Sequence, residues 1–407
     1  MKKSKTAIVA LVLALMMAIP TIVIAQPMDD IPQRTENGVV YVPLRQAAYA
    51  HGAAVEWNGV TRTVYITDAD GNRQGVIVEA AGGFIEDGTS WIPLDFAAGL
   101  FPQAAAGLGI HGAIHRVEYG DNVAYLFGTI HGWLDGWSPL AYEVESALAR
   151  ADIFAWEVES LELEELQAAT IEYGMFLPDA QSWADFLPQD AYEHFIEVMA
   201  EWGIDYNEET RYINPEFLIL ALRIDTALSL AESGFEIGAM SVDSYVMGIA
   251  LERGLPIIGL EDVRQQLEIL YHPPIEVVVH NIMNFLPPED LAEEIINSDE
   301  PSLDELAGYY ETNNLSGLSS AFSRPFDPEN ENVSQRYARE MVFNWRSTYY
   351  ANRIAEMLQE TEEPTTFFVA VGISHIIRSM AGEDFTDIVE QLRLMGFEVV
   401  PLFTYQR

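Results

Sequence analysis

Four titratable side chains occupy the same kind of place in the sequence. Val123-Ala124-Tyr125-Leu126-Phe127 runs into Gly128-Thr129-Ile130-His131, and Phe367-Phe368-Val369-Ala370-Val371 runs into Gly372-Ile373-Ser374-His375. Ile153–Trp156 leads to Glu157, and Ile257–Leu260 leads to Glu261. Each follows an apolar run of strand length, and open α/β sheets place their ligands at the carboxyl ends of such strands. Parallel neighbouring strands would bring two imidazoles and two carboxylates to one sheet edge. Glycine three residues before each histidine lets the backbone leave the strand sharply. With 8 His and 28 Gly in 407 residues, fewer than one G-x-x-H is expected by chance, yet three occur. The third, Gly112-Ala113-Ile114-His115, precedes its strand and reads as the chance match, with His111 and His115 on one strand face.

The elements needed to hold these residues can be read around them. Gly120-Asp121-Asn122 separates Ala113–Tyr119 from Val123–Phe127 as a hairpin. A helix starting at Ser138-Pro139 and ending near Arg150 leads to the Glu157 strand. A mostly helical, acidic stretch fills 161–230, and a helix over Val242–Arg253 ends at Gly254 before the Glu261 strand. Helical segments follow at Asp262–Leu270, Leu303–Tyr310 and Val333–Leu358. A helix at Phe385–Met395 and a strand at Phe397–Leu402 come after the His375 strand. Strands and helices alternate at both ends with helices inserted between, which predicts an α/β fold with a mixed central sheet and a helical cap.

Composition limits the chemistry. The chain has 63 Asp+Glu against 21 Lys+Arg, a net charge of −42, and no cysteine. Half the residues are hydrophobic, so the acid coats a packed core and is not the mark of a disordered tail. Nucleic acid is excluded as a partner, because phosphate binding needs clustered Lys and Arg. Without thiols there is no disulfide, thiolate nucleophile or Cys-ligated zinc, and any metal must sit on His and carboxylates.

The N-terminus predicts export. Lys2, Lys3 and Lys5 precede an uncharged apolar stretch from Thr6 to Ala25, and Val23-Ile24-Ala25 suits a cleavage site. Residues 1–25 read as a signal peptide, giving a secreted or cell-surface protein. An uncleaved membrane anchor is the rival reading. Glu36-Asn37-Gly38-Val39-Val40-Tyr41-Val42-Pro43-Leu44-Arg45 then recurs as Glu86-Asp87-Gly88-Thr89-Ser90-Trp91-Ile92-Pro93-Leu94-Asp95. Each copy reads as a turn, a short strand and a Pro-Leu helix start, and Val55–Asn58 with Thr63–Ile66 reads as a hairpin. This region resembles the copper amine oxidase N-terminal-like or stalk domain, which carries no copper chemistry. It implies a small α+β spacing module over 32–105 and association with a cell wall or cell surface.

Residues 110–407 resemble the TraB/GumN proteins, which share their two G-x-x-H motifs with the animal Wnt-inactivating metalloproteases. The matching features are Ala124–Gly132, Phe154–Glu159, Ser241-Val242-Asp243 followed by Leu255–Glu261 and Gln265, Trp345-Arg346, and Val369–His375. Ser347 stands where that family usually has Asn. Tyr310 and Asn314 fit its Y-x-x-G-D position loosely. The resemblance implies a metal-dependent hydrolase, a peptidase in first reading, acting on a peptide or a small amide or ester. His131, His375 and one of Glu157 or Glu261 would hold the metal, the other glutamate would act as base, and Arg346 would steady the oxyanion. Imidazole and carboxylate donors without thiolate favour Mn²⁺ or Co²⁺, with Zn²⁺ as a third option. The alternative is a non-catalytic surface protein that binds or sequesters a peptide signal. Asp243 reads first as a carboxylate at a helix N-terminus, and Trp133, Trp137 and Trp183 as packing residues.

Overall fold

The structure is a computed structural model that describes residues 34–36, 39–44, 54–58, 63–67, 73–78, 80, 82–86, 89–93, 112–134, 137, 140–158, 168–231, 234–235, 237, 241–298, 300–322, 331–378 and 385–402. Outside these residues lie segment 1–25, the turns at Asn37-Gly38 and Asp87-Gly88, the helix starts after Leu44 and at Leu94, the boundary near 105–110, His51, His111, Ser138-Pro139 and Glu162–Glu165. The chain forms two compact units. One holds the described residues within His111–Gly136 and Arg150–Arg407, the other those within Gln26–Ile110 and Trp137–Ala149.

The N-terminal unit is built from hairpins. Strands β1 (Arg34–Glu36) and β2 (Val39–Pro43) pair antiparallel, as do β6 (Phe84–Glu86) and β7 (Thr89–Pro93). These two hairpins are the two copies of the repeat, and they join through β2 and β7 in the order β1-β2-β7-β6. Val42 faces Ile92, Tyr41 faces Pro93 and Pro43 faces Trp91. Equivalent repeat positions therefore meet about a local twofold axis through Val42 and Ile92. The expected hairpin is present as β3 (Ala54–Asn58) and β4 (Thr63–Thr67), extended by β5 (Arg73–Ile77).

The larger unit is organised by a six-stranded sheet. Its strands are β8 (Ile114–Tyr119), β9 (Asn122–Thr129), β10 (Ile153–Val158), β11 (Ile257–Glu261), β12 (Thr366–Gly372) and β13 (Glu398–Pro401). The order is β11-β10-β12-β9-β8-β13. The four strands β11, β10, β12 and β9 run parallel, while β8 and β13 pair antiparallel at the other edge. A two-residue turn at Gly120-Asp121 joins β8 to β9, and Gly120 takes the positive φ of 60° that such a turn requires. Strands buried on both faces read as continuous apolar runs, and Phe127, Phe154, Phe367 and Phe368 are fully buried here. Asn122 fastens the start of β9 to the segment that leads into β12. It donates to the carbonyls of Leu358 and Thr361 and accepts from the Thr365 amide.

The helical insertion has its own core. Helices Gln189–Glu201, Pro215–Leu230, Ile275–Met283 and Pro288–Asn297 bury Phe195, Ile282, Phe285 and Leu291 around the fully buried Trp183. Trp183 is thus a packing residue, and its indole N–H donates to the Ile213 carbonyl. The stretch from Val333 is not one α-helix. Val333–Tyr337 is α-helical, Ala338–Trp345 widens into π-helix, and Arg346–Glu360 returns to α. Apolar spacing over eight residues does not separate these two periods, and long π-helices are rare enough that the α reading is the default. No helix among the described residues is long and apolar enough to cross a membrane.

Candidate active site

The strand order decides which side chains meet. Reading across the parallel strands β9, β12, β10 and β11, their carboxyl ends present His131, His375, Glu157 and Glu261 in that order. The two histidines lie just past their strands. Glu157 and Glu261 lie inside their strands and not just past them, the penultimate residue of β10 and the last residue of β11. Both strands outrun their apolar stretch because β10 pairs on both sides and carries β11 with it, Val158 facing Glu261.

Arg346 is the hub of this edge. It opens the α-helical turn that follows the π-helix, is buried, and reaches both carboxylates. Its Nη2 donates to Glu157 Oε2 at 2.9 Å and to Glu261 Oε1 at 2.6 Å, and its Nε donates to Glu261 Oε1 at 3.0 Å. One turn along the helix, Tyr350 donates its hydroxyl to Glu261 Oε1 at 2.5 Å and lies 2.5 Å from Arg346 Nη2. Glu157 is held from three sides. The Gly372 amide donates to Oε1 at 2.6 Å, while the Gln266 side chain donates to Oε2 beside Arg346. Gln265, which the family-like block includes, has its Nε2 buried without a hydrogen-bond partner among the described residues, and its neighbour Gln266 is the one that bonds Glu157. The helix Val263–Tyr271, capped by the Asp262 carboxylate, turns position 266 toward Glu157.

Each histidine is anchored through Nδ1. Asp243, in the first turn of helix Val242–Glu252, accepts from His131 Nδ1 at 2.9 Å and from the Thr129 hydroxyl at 2.5 Å. Asp243 is therefore a functional neighbour of His131 as well as a helix-end carboxylate. His375 is buried, with Nδ1 at 2.9 Å from the Ser347 hydroxyl and Nε2 at 3.5 Å from Arg346 Nη1. Because Arg346 can only donate, Nε2 carries the lone pair and Nδ1–H donates to Ser347. Each imidazole is thus tied through Nδ1, His131 to Asp243 and His375 to Ser347, while His375 Nε2 faces Arg346 Nη1. Tyr350 packs its ring edge against His375, centroids 5.2 Å apart. Tyr310, fully buried, donates to the carbonyl of Gly128 and fixes the backbone ahead of His131, whereas Asn314 instead accepts the Gly317 amide on the surface.

The electrostatics follow from burial and from Arg346. Burial alone would raise Glu157, but Arg346 and the two histidines overcome it and hold the carboxyl at about 2. Glu261 goes the other way, raised by burial against the pull of Arg346. Burial, reinforced by Arg346, lowers His375 to about 3. His131, whose side chain is 74% exposed, is raised by Asp243. Burial opposes the charge on Arg346, yet Tyr350 and the two glutamates push it above the usual guanidinium value.

Whether a metal ion suits this place is a question of donor chemistry. Imidazole and carboxylate are donor types that suit Mn²⁺, Co²⁺ or Zn²⁺, and hydrogen-bonded Nδ1 atoms are what metal-binding histidines display. Two carboxylates against one guanidinium also leave a negative charge in excess for a cation to balance. Among the described residues no three His, Asp or Glu side chains form a ready metal-holding group, and Arg346 lies against both Glu157 and His375.

An α/β domain with His and Glu side chains aligned along the carboxyl edge of its parallel strands defines the class. The TraB/PrgY/gumN family pattern matches residues 113–401, and the chain belongs to that family. The copper amine oxidase N-terminal domain pattern matches residues 23–83, in agreement with a stalk-like N-terminal region and covering the first copy of its repeat. No curated protein and no solved structure matches the chain.

Proposed function

We propose that this protein is an exported metal-dependent hydrolase, a peptidase in its simplest form, with His131, His375 and Glu157 as the residues that hold a divalent ion. The carrying observation is that both histidines are tied through Nδ1, one to Asp243 and one to Ser347, on the strand edge that also carries Glu157. A divalent ion bound there supplies a water molecule whose pKa falls to about 7. Arg346 has its Nε and Nη2 engaged by glutamates, while Nη1 faces His375 alone and is the donor available to a substrate carbonyl. Glu261, fixed by Arg346 and Tyr350, positions that guanidinium and is the second candidate for proton transfer. Residues 1–25 and the match at 23–83 support a secreted or surface location. Metal content of the purified protein tests the reading. The wild type should carry about one Mn²⁺, Co²⁺ or Zn²⁺ per chain, and His131→Ala and His375→Ala should each lose it together with peptide hydrolysis. Metal-free wild type after loading would overturn it.

The pairing of Arg346 with both glutamates favours a second reading, a binding protein that sequesters a peptide without cleaving it. Stoichiometric capture followed by recovery of intact peptide would decide for this reading.

A further inference from the structure

Two of the three groups proposed to hold a divalent ion are in contact with Arg346. Its Nη2 donates to Glu157 Oε2 at 2.9 Å, and its Nη1 stands 3.5 Å from His375 Nε2. Lone pairs are scarce at both places. Glu157 Oε2 accepts from Arg346 and Gln266, which fills its two lone pairs, and Oε1 has one left beside the Gly372 amide. His375 has Nδ1 on the Ser347 hydroxyl, so the single lone pair of the ring is at Nε2 and faces Arg346. A metal–nitrogen bond and the Arg346 contact therefore exclude each other at His375. A guanidinium and a divalent ion also repel at such range. Little water screens them, because the side chains of Arg346, Glu157 and Glu261 are 5%, 12% and 0% exposed.

The hold of Arg346 on Glu261 is of a different kind. Nε and Nη2 both donate to Glu261 Oε1, and Nη2 also meets the Tyr350 hydroxyl, which donates to the same oxygen. Neither Glu261 nor Tyr350 is among the three proposed ion-holding groups, so Arg346 can leave Glu157 and His375 and remain paired. We infer that Arg346 is a built-in competitor of the divalent ion. In the ion-free protein its guanidinium bridges Glu157, Glu261 and His375, and in the loaded protein it withdraws onto Glu261 and Tyr350. That withdrawal frees Nη1 for a substrate carbonyl. This rests on the metal reading of the site and adds that the ion is held less tightly than its donors alone would hold it.

Calorimetric titration of chelator-treated full-length protein with Mn²⁺ tests it. The many surface carboxylates of this chain take up divalent ions loosely, so binding is read as the excess over the same protein carrying His375→Ala. Wild type should show one such site. Arg346→Met should bind Mn²⁺ there at least about tenfold more tightly, and Arg346→Lys, with one compact ammonium in place of the fork, should fall between. Saturating Mn²⁺ should also raise the Tm of Arg346→Met by more than that of wild type, since the ion replaces the missing counter-charge. A cooperative melt of Arg346→Met that returns only with Mn²⁺ is the extreme form of the same result. If Arg346→Met does not fold with or without Mn²⁺, the comparison of Arg346→Lys with wild type decides. Variants that bind Mn²⁺ no more tightly than wild type overturn the competition and leave the metal reading standing. No excess binding in wild type or in either variant overturns the metal reading, and the competition with it.

Discussion

In the N-terminal unit each strand pairs either with its hairpin neighbour or with its repeat equivalent, whereas the parallel strands of the larger unit draw partners from across the chain. Val42 faces Ile92 by repetition, but Asn122 and Thr365 are 243 residues apart when they bond. Both arrangements make sheets, and only the second makes a site. Hairpins return the chain beside itself, so successive strand ends point in opposite directions. Parallel strands separated by crossovers stack all their carboxyl ends on one edge. Polar groups from four distant segments then share one location, and burial there turns them into an interacting cluster.

Breaking Arg346 should separate the two units most strongly. Arg346→Met leaves Glu157 and Glu261 buried at that edge without their counter-ion, which should cost about 3–5 kcal/mol in urea unfolding of the larger unit. A loss below 1 kcal/mol would mean that the two glutamates find another partner. Gly128→Ala comes next. A Cβ there would stand 2.8 Å from Ile373 Cγ1 and 3.1 Å from its Cα, so overpacking should cost about 1–3 kcal/mol. The sheet would have to part between β9 and β12, and this variant should also bind less metal.

Acid sharpens the contrast without mutation. His375 is held near 3 when folded against 6.5 when unfolded, by burial and then Arg346, so the unfolded chain binds the extra proton. Its contribution is therefore complete above pH 6.5 and is lost as pH falls toward 3. Glu157, at about 2 against 4.5, adds a second loss below pH 4.5 for the same reason. Unfolding free energy measured from pH 7 to pH 3 should fall along this limb, and His375→Gln should flatten its upper part. An unchanged slope in that variant would remove His375 from the account. Glu216 opposes the trend, since burial raises it to about 7 and its contribution is lost as pH rises from 4.5 through that value. The smallest effect belongs to the other sheet. Ile92→Val, at the local twofold, should cost about 0.5–1.5 kcal/mol and leave metal content and hydrolysis unchanged.

Much of this was legible in the residues. Apolar runs followed by G-x-x-H or Glu marked four strands, and the structure aligns them as parallel neighbours. The repeat at Glu36 and Glu86 announced two hairpins, and the structure adds that they pair with each other. Other features were out of reach for definite reasons. The partner of Glu157 is Gln266 and not Gln265, a difference of one position on a helix whose rotation depends on packing. Tyr350 joins the cluster only because it follows Arg346 by one helical turn, a spacing that signals a shared face without naming its target. Asp243 looked like a helix-end carboxylate, and nothing local tells that His131 sits opposite. The π-helix at Ala338–Trp345 shifts the phase of the chain just before Arg346, and phase is what single-sequence periodicity reads least well over so short a stretch.

Strand β12 fills the gap between β9 and β10, yet it is made last of the three, after more than two hundred further residues than β10. Until it inserts, β9 and β10 have no neighbour in common and stand two strand spacings apart, about 10 Å. His131 and Glu157 are then unconnected, and His375 does not yet exist. In a chain still emerging from the ribosome this edge is therefore incomplete, and it is assembled only when β12 closes the gap. Timing is thus written into strand order.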